Sequence, residues 1–545
     1  MAKFMGDLWT WRRDLTFLLV GISVIVAISL IIRVLPYLAN DFFFEVGFDT
    51  GIYERLTSFY LSDPDWAILP AYPALPPSYA PYIDQVEPSM FVLLGMANQI
   101  IAADVNTLYR YYLPILVGAL SVIFGFIAGR HLAGSNLAGI LAAVFIAMSY
   151  VQVEASNEAF HRQILATLLI ILSAVYFDRF LRYRKGKYML ISTILASGTV
   201  ALHISATMLF VFLLIYAVIY FSWKRQKGCL RVVIISTISA FIFSFPAWLP
   251  RVDYYAHLIR TLIVESIWRS STLPTGEGLW VSGGSIPILF WDYPHILIGY
   301  ILIFAPLVAL TVLSYFVLWK ERRLVCAIPI LSLFLWAYIG LWLFFGNRYL
   351  LDLDILICII APVAIIYLVK RYGNRSWKRY GIVGIAILVM VPNFYIVVDA
   401  QLNTSPYIVE NIEGAEWIIE NIDSENSVIF APDYLSADII QRGYTMAIWD
   451  YTLSKDSRHP SYVAEEFMLE APNNYTFLME FFNEYPEYLD KDIFVLWGEW
   501  DLDRPLVKTQ ELIPVEDYSV SMDFDLRYDG FSEILKVYEF VGPRS

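Results

Sequence analysis

Four carboxylates crowd the segment Asn40–Arg55 (NDFFFEVGFDTGIYER): Asp41, Glu45 and Asp49 recur every four residues, and Glu54 follows. The segment begins where a long apolar run ends. A carboxylate at a membrane–water boundary suits general-base work or the holding of a divalent cation. The plainer reading of any one of these acids is a solvated loop that keeps its segment in water. A second polar knot, Glu154–Arg162 (EASNEAFHR), is wedged between two apolar runs. There His161 and Arg162 can bind a phosphate, Glu154 and Glu158 a cation, and ordinary interfacial anchoring is the competing reading. Arg348, in GNRYL, opens a late apolar run. A guanidinium at that place can clamp a phosphate with two parallel hydrogen bonds, or it can snorkel to headgroups. His203, in ALHIS, is either a helix-kink histidine or the wall of a cavity. Glu265, in IVES, belongs to a long loop whose STLPTG and SGGS stretches suit a segment that gates a site.

These groups need elements to position them, and composition says what those elements are. Apolar residues make up 58% of 545 residues, and charged residues only 16%. That much apolar surface asks for a lipid solvent. Runs long enough to cross a hydrocarbon core of about 30 Å fall near 15–36, 109–129, 134–150, 163–181, 188–203, 204–222, 231–250, 294–318, 325–345, 350–370 and 380–399. The expectation is a polytopic, all-helical transmembrane bundle of about eleven spans, within a range of about ten to thirteen. The first run follows Lys3, Arg12 and Arg13 and is too long for a signal-peptide core, so it reads as a retained span.

Charge sets the orientation. Basic connections at Arg179–Lys187, Lys224–Arg231, Lys320–Arg323 and Lys370–Arg379 alternate with acidic or mixed ones. The positive-inside rule makes the basic loops cytoplasmic, with the N-terminus. Loops 37–108, 151–162, 251–293 and 346–349 then face outward, across the plasma membrane. An apolar stretch at Glu87–Ile101 would reverse this parity if it crossed, so it is expected to lie in the outer interface. The division is 1–400 for the membrane domain and 401–545 for an acidic, extracytoplasmic α/β domain. From residue 400 onward there are 29 Asp and Glu against 9 Lys and Arg. An acidic surface of this kind argues against nucleic acid. Cys229, Cys326 and Cys358 give neither a disulfide framework nor metal-ligand spacing. A helix near 413–421 and strands near 427–430, 493–496 and 534–540 are expected in the tail.

Taken together, these features resemble the membrane glycosyltransferases of the C-type fold, above all the catalytic subunit of the oligosaccharyltransferases of archaea and bacteria. The resemblance covers nearly the whole chain. It runs through an Asp soon after the first span, an interfacial helix in a long first loop, a charged second loop, a Gly-x-Arg-aromatic entry to a late span, and an exported α/β domain. It implies that Asp49 is catalytic, that Arg348 contacts the donor's phosphate, and that Glu265 is the acid of the flexible loop. Two family motifs are changed. Where an Asp-x-Asp metal motif is expected, the chain has Phe160-His161-Arg162. Where WWDYG is expected, Asp433 and Tyr434 remain on the acceptor side, but Ala431 and Pro432 replace the tryptophans.

The resemblance therefore implies inverting transfer of a sugar from a polyprenyl- or dolichyl-phosphate donor to a glycan, lipid or protein acceptor on the outer face. Asp49 would act as the base, and Arg348 with His161 and Arg162 would hold the leaving phosphate. Asp41, Glu45, Glu54, Glu154, Glu158 and Glu265 are further candidates for acceptor or cation binding. No metal is expected to be obligatory, although Mg²⁺ or Mn²⁺ has a place among these acids. Two rivals stand beside this reading. A true oligosaccharyltransferase would modify Asn in sequons with strict metal dependence. A scaffold or lipid-linked-sugar transporter would keep its function without Asp49.

Overall fold

The computed structural model describes residues 2–40, 50–62, 89–157, 160–249, 252, 295–341, 346–373, 375–402, 406–432, 445–449, 479, 482, 483, 486, 489–498, 522–530 and 535–542. Helices account for nearly all of it as far as residue 421: α1 (Ala2–Asn40), α2 (Thr50–Ser62), α3 (Ser89–Ile101), α4 (Val105–Ala133), α5 (Asn136–Ala147), α6 (Tyr150–Asn157), α7 (His161–Tyr183), α8 (Gly186–Leu202), α9 (Ile204–Trp223), α10 (Lys227–Phe243), α11 (His295–Ile303), α12 (Ala305–Lys320), α13 (Ala327–Gly340), α14 (Gly346–Tyr372), α15 (Ser376–Leu388), α16 (Val391–Leu402) and α17 (Pro406–Asn421).

Apolar side chains on every side of a helix leave lipid as its only comfortable surroundings. Among the described residues six helical segments are long and apolar enough to cross a membrane: Leu18–Leu38, Val105–Ala133, His161–Tyr183, Ile204–Trp223, Tyr349–Tyr372 and Ser376–Asp399. Two bent pairs, α5 with α6 at 48° and α11 with α12 at 96°, raise the number to eight if each is one span. The chain is an integral membrane protein. The expected count of about eleven also included α8 and α10, of 17 residues each, and α13, of 14, which are shorter than these six. The division of 188–222 at His203 is found: α8 ends at Leu202 and α9 begins at Ile204, with His203 Nδ1 accepting from Ser205 N at 3.2 Å. The stretch read as interfacial is α3, which buries Phe91 and Leu94 and exposes Leu93, Met96 and Ile100.

Close approach makes the α4–α5 hairpin possible. Gly134, at φ +66°, ends α4 in the left-handed region, and a Cβ on Gly139 would lie 2.7 Å from the Phe126 carbonyl. Inside α14, Pro362 interrupts the backbone ladder, and Ser314 of α12 repairs it by accepting from Ala364 N at 2.9 Å.

Side-chain bonds sort the helix termini into two ends. At one, Arg184 of the α7–α8 turn donates to Cys229 Sγ (3.4 Å), and Arg323 donates to the His131 carbonyl (3.1 Å). Asp178, buried in α7, accepts from Ala327 N at 2.8 Å and so caps α13, with His131 Nε2 3.7 Å away. Among the described residues the basic connections at 179–187, 224–231 and 320–323 meet here. At the other end Tyr109 reaches Tyr53, Tyr349 reaches Ser205, and Asn393 accepts from Tyr150 N. Asp178→Ala leaves the Ala327 N–H buried without its acceptor. It should cost about 1–3 kcal/mol, read as a lowered unfolding midpoint of the protein in lipid.

The tail is a five-stranded sheet of order β2-β1-β3-β5-β4, with β1 (Ser427–Pro432), β2 (Thr445–Trp449), β3 (Asp492–Gly498), β4 (Phe524–Asp529) and β5 (Leu535–Phe540). The strands β2, β1 and β3 are parallel, β5 is antiparallel to β3, and β4 is antiparallel to β5. The helix α17 lays Ile418 and Trp417 against it, with Trp417 and Tyr528 rings 5.2 Å apart.

Candidate functional site

The site begins with α2, the helix that follows Asp49. Its local sequence, TGIYERLTSFYLS, puts Tyr53, Glu54, Leu56 and Thr57 in the interior. Residues three and four apart share a helix face, so Tyr53, Leu56 and Thr57 fall on one stripe. Thr57 Oγ1 donates to the Tyr53 carbonyl at 2.9 Å and lies 3.1 Å from Tyr109 Oη. Tyr109 Oη in turn donates to the Tyr53 carbonyl at 3.2 Å. This end of α4 is a π-turn, Leu108–Tyr112. One extra residue in the turn rotates the following side chains, a common device at functional positions.

Arg162, at the second position of α7, completes the cluster. Its Nη2 donates to Tyr53 Oη at 2.9 Å. The guanidinium lies 4.6 Å from the centre of the Tyr53 ring and 5.7 Å from that of Phe91. One cation thus joins α2, α3 and α7 through both the faces and the hydroxyl of aromatic rings. Glu54, next to Tyr53 in α2, is 2% exposed. His161 is buried beside Arg162, Nε2 3.5 Å from Ser156 Oγ, and Glu154 is buried within α6.

Arg348 is the third residue of α14. The residue after it anchors that helix: Tyr349 Oη donates to the Ser205 carbonyl (3.4 Å) and Met208 Sδ (3.1 Å), and its ring meets Tyr338 edge-on at 4.8 Å. His203 caps the same turn of α9, which makes it a helix-break histidine in contact with the anchor's partner.

The structure therefore brings Glu54, Glu154, His161 and Arg162 to the end of the bundle where α14 opens on Arg348. Asp41, Glu45, Asp49, Glu158, Glu265, Asp433 and Tyr434 lie outside the described residues. Among the described residues no group of three or more His, Cys, Asp or Glu side chains is gathered as a metal would require.

One constellation was not expected. Asp352 and Asp354, inside a run read only as apolar, are fully buried in α14 and accept from Ser149, Gln152, Gln163, Thr167 and Tyr300. Two acids in the middle of LLDLDILIC are a legible sign, since ionisable residues inside a span are costly and seldom idle. A replacement of Arg162 by Lys keeps the charge but loses the planar fork and its stacking. The α2 segment should loosen by about 1–2 kcal/mol, seen as faster proteolysis within 50–62.

No family model matches the sequence, and no curated protein matches it. Solved structures do match. The apo oligosaccharyltransferase of Archaeoglobus fulgidus aligns with 88% of this chain and 69% of its own, at 15% identity and a TM-score of 0.60. Apo ArnT from Cupriavidus metallidurans aligns with 97% of this chain and all of its own, at 11% identity and a TM-score of 0.58. At these identities the likeness is one of fold, and that fold is the C-type of membrane glycosyltransferases.

Proposed function

From this shared fold we propose that the chain is an integral-membrane glycosyltransferase. It moves a sugar from a polyprenyl- or dolichyl-phosphate carrier to a hydroxyl-bearing glycan, lipid or protein acceptor, on the face opposite the basic turns. The observation that carries this reading is convergence. Segments far apart in sequence (α2 after Asp49, the 154–162 knot and the α14 entry at Arg348) meet at one end of a C-type bundle.

In the proposed step the acceptor oxygen attacks the anomeric carbon while Asp49 takes its proton. The bond from that carbon to the phosphate oxygen breaks with inversion, and the lipid phosphate leaves with the electron pair. Arg348 would stabilise the developing charge on the phosphate, with His161 and Arg162 adding positive potential from the second loop. Arg162 has a further part, because its contacts with Tyr53 and Phe91 hold the helix that follows Asp49. A carrier lying between spans brings its donor without a soluble nucleotide sugar. The acidic α/β tail, 401–545, would contribute to acceptor binding, with Asp433 and Tyr434 following β1. The changed motif positions, Phe160-His161-Arg162 for Asp-x-Asp and Ala431-Pro432 for the two tryptophans, support an acceptor other than the sequon amide.

The test uses purified protein in lipid, radiolabelled polyprenyl-phosphate monosaccharides and a panel of acceptors, with and without EDTA. Transfer that survives EDTA is expected. Transfer abolished by EDTA would favour a metal-dependent oligosaccharyltransferase-like step. No transfer from any donor would remove the enzyme reading.

A further inference from the structure

Two acids of α14 take no part in the proposed transfer. Asp352 is 0% exposed and Asp354 1% exposed, and both lie within the apolar segment Tyr349–Tyr372. Among the described residues neither has a cation within ion-pair distance. Every partner is a neutral donor. Asp354 Oδ2 accepts from Ser149 Oγ at 2.7 Å and from Gln152 Nε2 at 3.0 Å, while Oδ1 accepts from Tyr300 Oη at 2.8 Å. Gln152 Nε2 also donates to the Leu351 carbonyl at 3.0 Å. Asp352 accepts from Gln163 Nε2 at 3.2 Å and from Thr167 Oγ1.

The places of these donors are what matters. Ser149 sits at the 48° break between α5 and α6, and Gln152 is in the first turn of α6, which leads to Glu154. Gln163 and Thr167 are in the first two turns of α7, which opens on His161 and Arg162. Tyr300 is in α11, the helix that returns from the long loop 251–293. The carboxylates themselves follow Arg348 at about 6 and 9 Å along the helix axis. Both roots of the second loop and the returning root of the third are thus tied to the helix that carries Arg348. Apolar packing would join helices in lipid at less cost than buried carboxylates. What a carboxylate adds is directional bonds that fix register.

We propose that Asp352 and Asp354 are positioning residues that lock α6, α7 and α11 onto α14, so that Arg348, His161 and Arg162 meet the reacting phosphate in one fixed arrangement. The inference rests on the reading of this end as the transfer site. Its structural half, the tie itself, stands or falls separately.

The experiment compares Asp354→Asn, Asp352→Asn and the milder Tyr300→Phe in the full-length protein in lipid nanodiscs. It measures kcat and donor KM with the radiolabelled polyprenyl-phosphate sugar, and hydrogen exchange along the chain. The aspartate variants should lower kcat at least about tenfold, with amide exchange rising at least about tenfold in 149–163 and 295–304. The α8–α9 hairpin and the tail sheet should exchange as before. Tyr300→Phe should act on 295–304 and be non-additive with Asp354→Asn. Exchange that stays unchanged in those segments, or rises uniformly along the chain, overturns the proposal, as does a kcat unaffected by the local loosening. If the unaltered protein transfers no sugar, the function above fails, and the exchange pattern alone decides whether the tie exists.

Discussion

Asp49→Asn should lower the rate of sugar transfer about 10²- to 10⁴-fold, the usual span for loss of a positioned general base. Asn matches Asp in size and keeps an acceptor oxygen, but it cannot take a proton from the attacking hydroxyl. The loss belongs in kcat, with donor KM nearly unchanged, because the donor's phosphate is assigned to other residues. Folding should be untouched. The helix that follows Asp49 is fixed independently by Thr57, Tyr109 and Arg162, so the substitution leaves its mooring in place. Initial rates of the variant and the parent in the same lipid, beside their unfolding midpoints, check both statements. Equal rates would turn the interpretation towards a scaffold or carrier.

Arg348→Gln is expected to cost about 10²- to 10³-fold in transfer, the effect of removing a donor aimed at charge that develops in the transition state. Arg348→Lys should fall between, since an ammonium keeps the charge and loses the two-pronged geometry that fits a phosphate. The helix should hold its position in both variants. Tyr349, next in sequence, is buried against Tyr338, Ser205 and Met208 and anchors the first turn of α14. Transfer rates of both variants against donor concentration test this. A change confined to the unfolding midpoint, with rates intact, would show Arg348 to be a lipid-headgroup contact.

The sequence alone determined the apolar helices and their order, whereas α2 was read only as part of a loop. Each apolar run became helical, those near 134–150 and 294–318 as bent pairs, because hydropathy sums transfer free energies that depend on nearby residues only. It also located the break at His203, where the side chain satisfies the backbone N–H freed by the turn. The apolar stretch Glu87–Ile101 was legible as a helix, and α3 covers Ser89–Ile101 with Leu93, Met96 and Ile100 exposed. In the tail, α17, β1, β3 and β5 fall where the pattern put them. The strands β2 (TMAIW) and β4 (FDLRYD) lacked a signal strong enough to separate them from turns.

Tertiary structure decided the rest. Hydropathy cannot tell a straight helix from the bent pairs at Met148–Ser149 and Phe304, because a bend depends on what the partner helices offer. Arg162 and Tyr53 are 109 residues apart, and Asp354 and Ser149 are 205 apart. Their meeting follows from side-chain complementarity across the bundle, about which local composition is silent. Arg162 was legible as a phosphate-binding cation of the second polar knot. That its fork rests on two rings and moors the helix after Asp49 became visible only when α2, α3 and α7 packed together. Asp352 and Asp354 had the opposite history. Their letters were plain in the sequence, but a mean over apolar neighbours hid them, and only packing shows the donors of α6, α7 and α11 that meet these buried carboxylates.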